Sequence, residues 1–441
     1  PPRSTLFPYT TLFRSTFLSG QMRQIYLDDS RPENEIYKIS FYTPSSGYVA
    51  FKNWIGYSID SGHTFIKKYI TVSNVDFNGY GVNLTLGFGI AGVKAFNQNN
   101  IIVWGDYGYV PAILRSTDGG NSFKLVYHSQ YNPLQISGGV TDMIFTQNDN
   151  IGFAIDADRI LKTTDQGISW QTVKITEGAG WQFLEAVDNN NVYAGSTRYQ
   201  TNQLIKTSNG GNSWQNIAYP KTGVKMSYAY FVNPYKGWLN CNEENSRFYT
   251  YITENGGTTW NLLNDPDATP MYAAKIKFID DNTGYALTGQ NNVAKSVDGG
   301  KIWEMLPRDN SFAYLGYTHN DLYIINSNQL WAGGRLGFFE LGINGGGTPL
   351  PKAYLKTDTT SFGATGLVNL KNFSRAGYSY TWIVNGKPIS NAYESTYTAT
   401  FNEHMDTIQL VVSNGSVIDT ATKYIYLPSR ASITAFNPTQ G

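Results

Sequence analysis

Apolar and polar residues alternate along most of the chain in short runs of four to seven positions, separated by turns rich in Gly, Asn and Asp. This alternation is typical of half-buried β-strands, because the apolar positions of a helix recur every three to four residues instead. The runs Arg159–Thr163 and 170–175 are two examples. The pattern therefore predicts an all-β chain built from many short strands.

One eight-residue turn motif, Ser/Thr-x-Asp/Asn-x-Gly-x-Ser/Thr-Trp/Phe, occurs six times, and only Ile302 departs from it at the second hydroxyl position. A short Asp or Asn side chain can bond to the backbone N–H groups of its own turn, and Gly supplies the positive φ angle. An Asn amide preserves this turn bond but cannot perform acid–base chemistry, so we interpret the motif as structural. Its Asp and Asn positions are Asp60, Asp118, Asp165, Asn209, Asn255 and Asp298.

Successive motifs are 43 to 58 residues apart, and a period in the forties is typical of a four-stranded propeller blade. A seventh unit follows the last clear motif, with strands predicted at 322–326, 330–334 and 338–343 and a degenerate motif at 344–347. This unit lacks a fourth strand, whereas the segment 23–27 is a spare strand ahead of the first blade. We predict that 23–27 closes the ring, because an open ring would leave two unpaired sheet edges.

The motif resembles the Asp box (BNR-like repeat) of the sialidase, sortilin and photosystem II assembly-factor families of β-propellers. The resemblance covers residues 16–348 and implies a seven-bladed β-propeller. A sialidase-like enzyme would also carry an arginine triad and an early Arg-Ile-Pro motif, and no Arg-Ile-Pro occurs in the chain. Xyloglucanase-like enzymes place two propellers around a cleft with catalytic carboxylates, whereas this sequence predicts one propeller. No catalytic residue is therefore assigned.

The repeat ends before residues 349–430, which contain no motif. The Tyr-x-Trp-x-x-x-Gly pattern at 380–386 resembles the strand and turn of PKD-type immunoglobulin-like domains, which implies a β-sandwich with Trp382 in its core. Residues 431–441 resemble the start of an IPT/TIG domain, so a longer multidomain chain is expected. Residues 1–15 match no repeat and resemble translated sequencing-adaptor sequence, so we leave them out of the fold prediction.

Composition narrows the function classes. The chain has 33 Lys and Arg residues and 33 Asp and Glu residues, and this balance argues weakly against a nucleic-acid partner. No apolar stretch is long enough to predict a transmembrane segment. The single cysteine, Cys241, lies in an apolar run and is predicted to be a buried core residue. The four histidines, His63, His128, His319 and His404, show no metal-ligand spacing, so neither a metal nor a cofactor is expected.

The strand order places candidate binding residues on one rim of the propeller. If the first strand of each blade runs from top to bottom, the motif turns lie below and the loops between second and third strands lie above, around the channel mouth. Arginines in these loops could bind carboxylates or phosphates, or could be ordinary surface side chains. Aromatic rings there suit sugar stacking or protein contact, unless they pack on neighbouring blades. The candidates are Tyr107, Tyr109, Arg159, Trp181, Arg198, Tyr199, Arg247 and Arg335.

These patterns favour a non-catalytic binding module, extracellular or on a bacterial cell surface, whose propeller is monomeric and presents loops to a polysaccharide, peptide or protein. One alternative is a glycoside hydrolase, for which two carboxylates such as Asp106 and Asp156 would have to approach each other on the rim. A second alternative is an assembly factor for a membrane protein complex. The appended C-terminal modules distinguish the binding-module hypothesis from the assembly-factor alternative.

Overall fold

The computed structural model contains a ring of seven four-stranded antiparallel sheets, followed by two further sheets. Strands are numbered β1 to β35 along the chain. The structure describes residues 22–26, 34–70, 88–108, 110–129, 139–196, 203–221, 225–242, 248–263, 273–288, 292–307, 319–335, 339–343, 345–346, 351, 353–358, 366–374, 377, 379–400, 404–415 and 417–427.

Each of the first six blades uses four consecutive strands. Blade one has β2 (Ile36–Phe41), β3 (Gly47–Phe51), β4 (Ile55–Ser58) and β5 (Ile66–Lys68). Blade two has β6 (Phe88–Ala95), β7 (Ile101–Tyr107), β8 (Val110–Ser116) and β9 (Lys124–His128). Blade three has β10 (Val140–Phe145), β11 (Gly152–Asp156), β12 (Arg159–Thr163) and β13 (Gln171–Ile175).

The next three blades repeat this order. Blade four has β14 (Phe183–Ala186), β15 (Val192–Ser196), β16 (Gln203–Thr207) and β17 (Gln215–Asn216). Blade five has β18 (Lys225–Phe231), β19 (Gly237–Asn242), β20 (Phe248–Thr253) and β21 (Asn261–Leu262). Blade six has β22 (Ala273–Phe278), β23 (Gly284–Thr288), β24 (Val293–Ser296) and β25 (Glu304–Met305). The first strands of neighbouring blades contact one another around the ring, so they form its inner wall.

Blade seven joins the two ends of the ring. It has β26 (His319–Asn326), β27 (Gln329–Gly334) and β28 (Phe339–Ile343), and its outer strand is β1 (Met22–Tyr26). In the antiparallel pairing, Met22 lies opposite Gly342 and Gln24 lies opposite Glu340. The Met22 side chain is fully buried against blade seven. The predicted closing strand is therefore confirmed, although it begins one residue earlier than expected.

Aromatic side chains fasten each blade to the next. Trp238 of blade five stacks on Phe278 of blade six, with ring centroids 3.6 Å apart, and its indole Nε1 donates to the Gly299 carbonyl oxygen at 2.9 Å. Trp331 of blade seven stacks on Phe41 of blade one at 4.1 Å. Stacked rings of this size combine a large buried apolar area with a fixed geometry. The inner strands are thereby held in a defined register around the ring.

The motif side chains are hydrogen-bonded within their own turns. Thr163 Oγ1 donates to Asp165 Oδ1 at 2.7 Å, while Ser169 donates its backbone N–H to Oδ1 at 2.9 Å and its hydroxyl to Oδ2 at 2.6 Å. Asn209 repeats this geometry, since its Oδ1 accepts from the Ser213 N–H at 2.9 Å. Burial alone would raise the pKa of Asp165, but the hydrogen bonds hold it below its ordinary value.

The C-terminal region forms two antiparallel sheets that share one core. One sheet has the order β29 (Leu355–Asp358), β30 (Leu367–Asn372) and β33 (Ser395–Thr398). The other has β32 (Lys387–Ser390), β31 (Ser379–Val384), β34 (His404–Ser413) and β35 (Ile418–Leu427). Trp382 is fully buried between them, as predicted. The PKD-type assignment and the boundaries 349–430 and 16–348 remain predictions, and residues 1–15 and 431–441 lie outside the described residues.

Candidate binding site

Two of the aromatic rim candidates do not present a ring to solvent. The side chains of Tyr107 and Trp181 are only 5% and 1% exposed. Tyr107 ends β7 and packs near Phe88, whereas Trp181 lies in the apolar cluster between blades three and four. The expectation that these rings are exposed is wrong, because the neighbouring apolar strands bury them.

Two of the four arginine candidates, Arg159 and Arg335, lie within the described residues. Arg159 begins β12, and its Nη1 lies 3.4 Å from Asp156 Oδ2. Arg335 follows β27 and is exposed. The remaining candidates, Tyr109, Arg198, Tyr199 and Arg247, lie outside the described residues. The joint anion site on the rim therefore remains a prediction.

Asp156, one of the two carboxylates considered for a hydrolase, is completely buried. Its Oδ2 accepts a hydrogen bond from the Tyr127 hydroxyl at 2.5 Å, and burial raises the pKa of the carboxyl group. Asp106 lies on β7, in the neighbouring blade. Since Asp156 is enclosed by protein, it does not offer a carboxylate to a substrate on the rim. The buried cysteine expected at Cys241 is confirmed, and burial raises the pKa of its thiol to about 12.

The inner strands enclose a channel cavity of about 320 Å³. All seven blades contribute to its wall, through Lys38, Val93, Asp142, Glu185, Tyr228, Lys275 and Asp321. A second cavity of about 690 Å³ lies towards the ends of the inner strands and shares Lys94, Phe145 and Tyr323 with the first. We refer to the first cavity as the channel site.

The sequence contains a signal for the channel site that our interpretation of the rim missed. Each inner strand leads into a turn whose polar side chain accepts backbone hydrogen bonds, for example Asp280 in blade six. Residues five positions before these turn residues include Lys38, Tyr228, Lys275 and Asp321, and residues three positions before include Glu185 and Lys277. Asp142 stands six positions before its turn residue, Asn148, because blade three has one more residue between the inner strand and the turn residue. Charged residues at these inward positions converge only when the ring closes.

One network of charges in the channel site joins three blades. Lys38 Nζ of blade one lies 3.2 Å from Asp142 Oδ1 of blade three. The second oxygen of Asp142 accepts the backbone N–H of Leu184, in blade four, at 2.9 Å. Inner strands are sheet edges with unpaired backbone donors, so a carboxylate that accepts one of them links two blades. The role of Asp142 is therefore structural.

A second network repeats this arrangement where blades six, seven and one meet. Lys275 Nζ lies 2.5 Å from Asp321 Oδ1, and Asp321 Oδ2 accepts the Ile39 backbone N–H at 2.9 Å. Burial alone would raise the pKa of Asp321, but the surrounding lysine ammonium groups, Lys275 first, hold it below its ordinary value. Asp321 is thus ionised, and its two oxygens bind groups of the two neighbouring blades.

The remaining charged groups of the channel site are Lys94, whose Nζ lies 2.9 Å from Asp149 Oδ1, Lys277 and Glu185. The Tyr228 hydroxyl donates to Glu185 Oε1, and burial raises the pKa of both groups. Lys277 makes no hydrogen bond and no ion pair within 4 Å with any residue that the structure describes. Burial lowers the pKa of Lys277, and repulsion from Lys275 lowers it further. The channel site therefore contains one cation without a partner of its own among the described residues.

Known structures share the architecture of this ring. YCF48 bound to D1 peptide superposes with a TM-score of 0.56 at 16% identity, covering 74% of this chain and 96% of that chain. YCF48 from Cyanidioschyzon merolae gives 0.53 at 17% identity, covering 73% and 98%. The chain has the β-propeller fold. The WD40 propeller domain of Doa1 gives 0.51 at 8% identity, covering 74% and 97%.

These identities are low, so the likeness establishes the propeller fold alone. No family model and no curated protein matches the sequence. Within the described residues, no cluster of three or more His, Cys, Asp or Glu side chains is arranged to hold a metal ion. In the same part of the chain, no helix has the length and hydropathy needed to cross a bilayer.

Proposed function

We propose that the protein is a non-catalytic binding module whose propeller holds a peptide segment of a partner at the channel site. The observation that carries this proposal is the cavity itself, about 320 Å³ in volume and lined by polar and charged side chains from all seven blades. Ligand sites are concave, largely preformed cavities with a few converging polar groups, and propeller mouths are places where they occur. A cavity of this size suits a short segment rather than a whole domain.

The carboxylates of the channel site favour binding over hydrolysis. Asp142 and Asp321 each accept a backbone N–H and face a lysine, and Glu185 accepts a hydrogen bond from Tyr228. Acid–base hydrolysis of a glycoside needs one protonated and one ionised carboxyl group on opposite sides of the bond. Because Asp142 and Asp321 hold blades together, they are unsuited to this role.

A peptide is favoured over a polysaccharide for two reasons. Sugar recognition commonly uses exposed aromatic faces, whereas Tyr107 and Trp181 are buried. In addition, YCF48 in complex with D1 peptide is a propeller of similar architecture that holds a peptide. An extracellular or cell-surface location, and a role of the C-terminal sandwich as a spacer, belong to the same proposal and are supported by the modular pattern of the sequence.

The test uses the full chain against a random peptide library and a glycan array. Peptides that bind should lose affinity at least tenfold when Thr141→Trp fills the cavity entrance, since Thr141 is exposed and lines the channel site. Thr172→Trp is the matched control, because Thr172 is exposed on the outer strand of the same blade. The proposal is wrong if the glycan array alone gives binding, or if both tryptophan variants bind peptides as the unaltered chain does.

A further inference from the structure

Lys277 differs from the other lysines of the channel site in having no hydrogen bond and no ion pair with any described residue. It lies on β22 two residues after Lys275, so both side chains lie on the same face of the strand. Lys275 is 2.5 Å from Asp321, whereas Lys277 has no anionic oxygen within 4 Å among the described residues. Its side chain is partly exposed, and the space that it faces is the cavity.

An ammonium group enclosed by protein walls is disfavoured unless an anion or several acceptors surround it. The lowered pKa of Lys277 reflects this cost, with burial as its first cause. The other two carboxylates nearby are already used, since Asp142 and Asp321 each bind a lysine and a backbone N–H. A bound anion would give Lys277 the charge-assisted hydrogen bond that the described residues do not supply.

Glu185 narrows the chemistry of that anion. It lines the same cavity, and the only hydrogen bond formed by its carboxyl group within the described residues is the one from Tyr228 to Oε1. Its second oxygen can therefore accept an N–H from a ligand. Glu185 and Lys277 interact electrostatically without forming an ion pair, so a ligand group can be placed between them.

A peptide C-terminus carries both complementary groups, a carboxylate and the N–H of the last amide, next to each other. We propose that the channel site binds the free C-terminal carboxylate of a peptide, with the carboxylate on Lys277 and the terminal amide N–H on Glu185. This inference rests on the proposed function and specifies its ligand. An acidic sugar is the competing ligand, because its hydroxyl groups can also donate to Glu185, and glucuronate is included as a probe for that reason.

The experiment measures binding of four probes to the full chain by calorimetry. The probes are N-acetyl-trialanine with a free carboxylate, its C-terminal amide, the amide of N-acetyl-Ala-Glu-Ala, and glucuronate. We expect the free acid to bind at least tenfold more tightly than each of the other three. Lys277→Met should weaken the free acid at least tenfold and leave the amide unchanged, while Lys277→Arg retains most of the preference.

Lys301→Met is the matched control, because Lys301 is exposed in the motif hairpin of the same blade and should have no effect. If Lys277→Met does not fold, the inference is still tested by comparing the affinities of the free acid and the amide for the unaltered chain and for Lys277→Arg. Equal binding of acid and amide overturns the inference, and so does tight binding of the glutamate-containing amide. In either case, inhibition by Thr141→Trp would leave the proposed function standing. Binding of glucuronate alone would overturn both.

Discussion

The turn motif makes a quantitative prediction at Asp165. Asp165→Ala removes three hydrogen bonds, from Thr163 Oγ1, the Ser169 N–H and the Ser169 hydroxyl. A typical bond contributes about 0.5–1.5 kcal/mol net, and water can replace part of it at this half-exposed turn, so the expected loss is about 1–2 kcal/mol. For a propeller of this size, that loss lowers the unfolding midpoint by about 1.5–3 °C.

Asp165→Asn should lower the free energy of unfolding by less than about 0.5 kcal/mol, because other copies of the motif already carry Asn at this position. Asn209 Oδ1 accepts the Ser213 N–H at 2.9 Å, and its Nδ2 donates to the Ser213 hydroxyl at 2.9 Å. Asn209→Asp is the reciprocal control and should change stability equally little at pH 7. Midpoints are measured by near-ultraviolet circular dichroism on heating.

The same pair of variants has a predicted pH dependence. Because the pKa of Asp165 is lower in the folded chain than its ordinary value of 3.8, its carboxylate stabilises the fold above that value. This contribution is lost as the pH falls through the folded pKa. The stability of Asp165→Asn relative to the unaltered chain should therefore rise between pH 5 and pH 2. Equal losses for Asp165→Ala and Asp165→Asn at pH 7 would refute the hydrogen-bond explanation.

Two further predictions concern how the ring is held together. Lys38→Met leaves Asp142 with the Leu184 N–H but without the Lys38 ammonium group, and should lower the free energy of unfolding by about 2–4 kcal/mol in urea denaturation. Adding Asp142→Asn to the same chain should restore part of this loss. If it restores none, the pairing is contradicted. Met22→Ala, which creates a cavity beside the closing strand, should cost about 2–4 kcal/mol, whereas Met22→Leu should cost less than about 1.5 kcal/mol. Equal effects of the two Met22 variants would show that the site is not packed as described.

The architecture could be predicted because a short turn motif repeats at regular spacing along the chain. Each motif fixes one hairpin through bonds within eight residues, so the spacing of the motifs counts the blades. The closing strand followed from an incomplete seventh unit and a spare strand, and the structure places Met22–Tyr26 there.

The channel site could not be predicted in the same way. Alternation along β22 shows that Lys275 and Lys277 share a face, but not which of them has a partner. That outcome depends on Asp321, which reaches Lys275 only through the closed geometry of the ring. Aromatic residues misled the rim prediction for a related reason, since Trp181 looks like a loop residue in sequence and becomes core when blades three and four meet.

Ring closure by β1 has a consequence for the order in which the protein is made. Its partner strand β28 is synthesised more than 300 residues later, and at about 5–20 residues per second the ribosome needs on the order of 15–60 s to reach it. Throughout that interval the first six blades can pair within themselves, while the earliest strand of the ring has no edge to join. The first strand of the propeller to be translated is therefore the last to be placed.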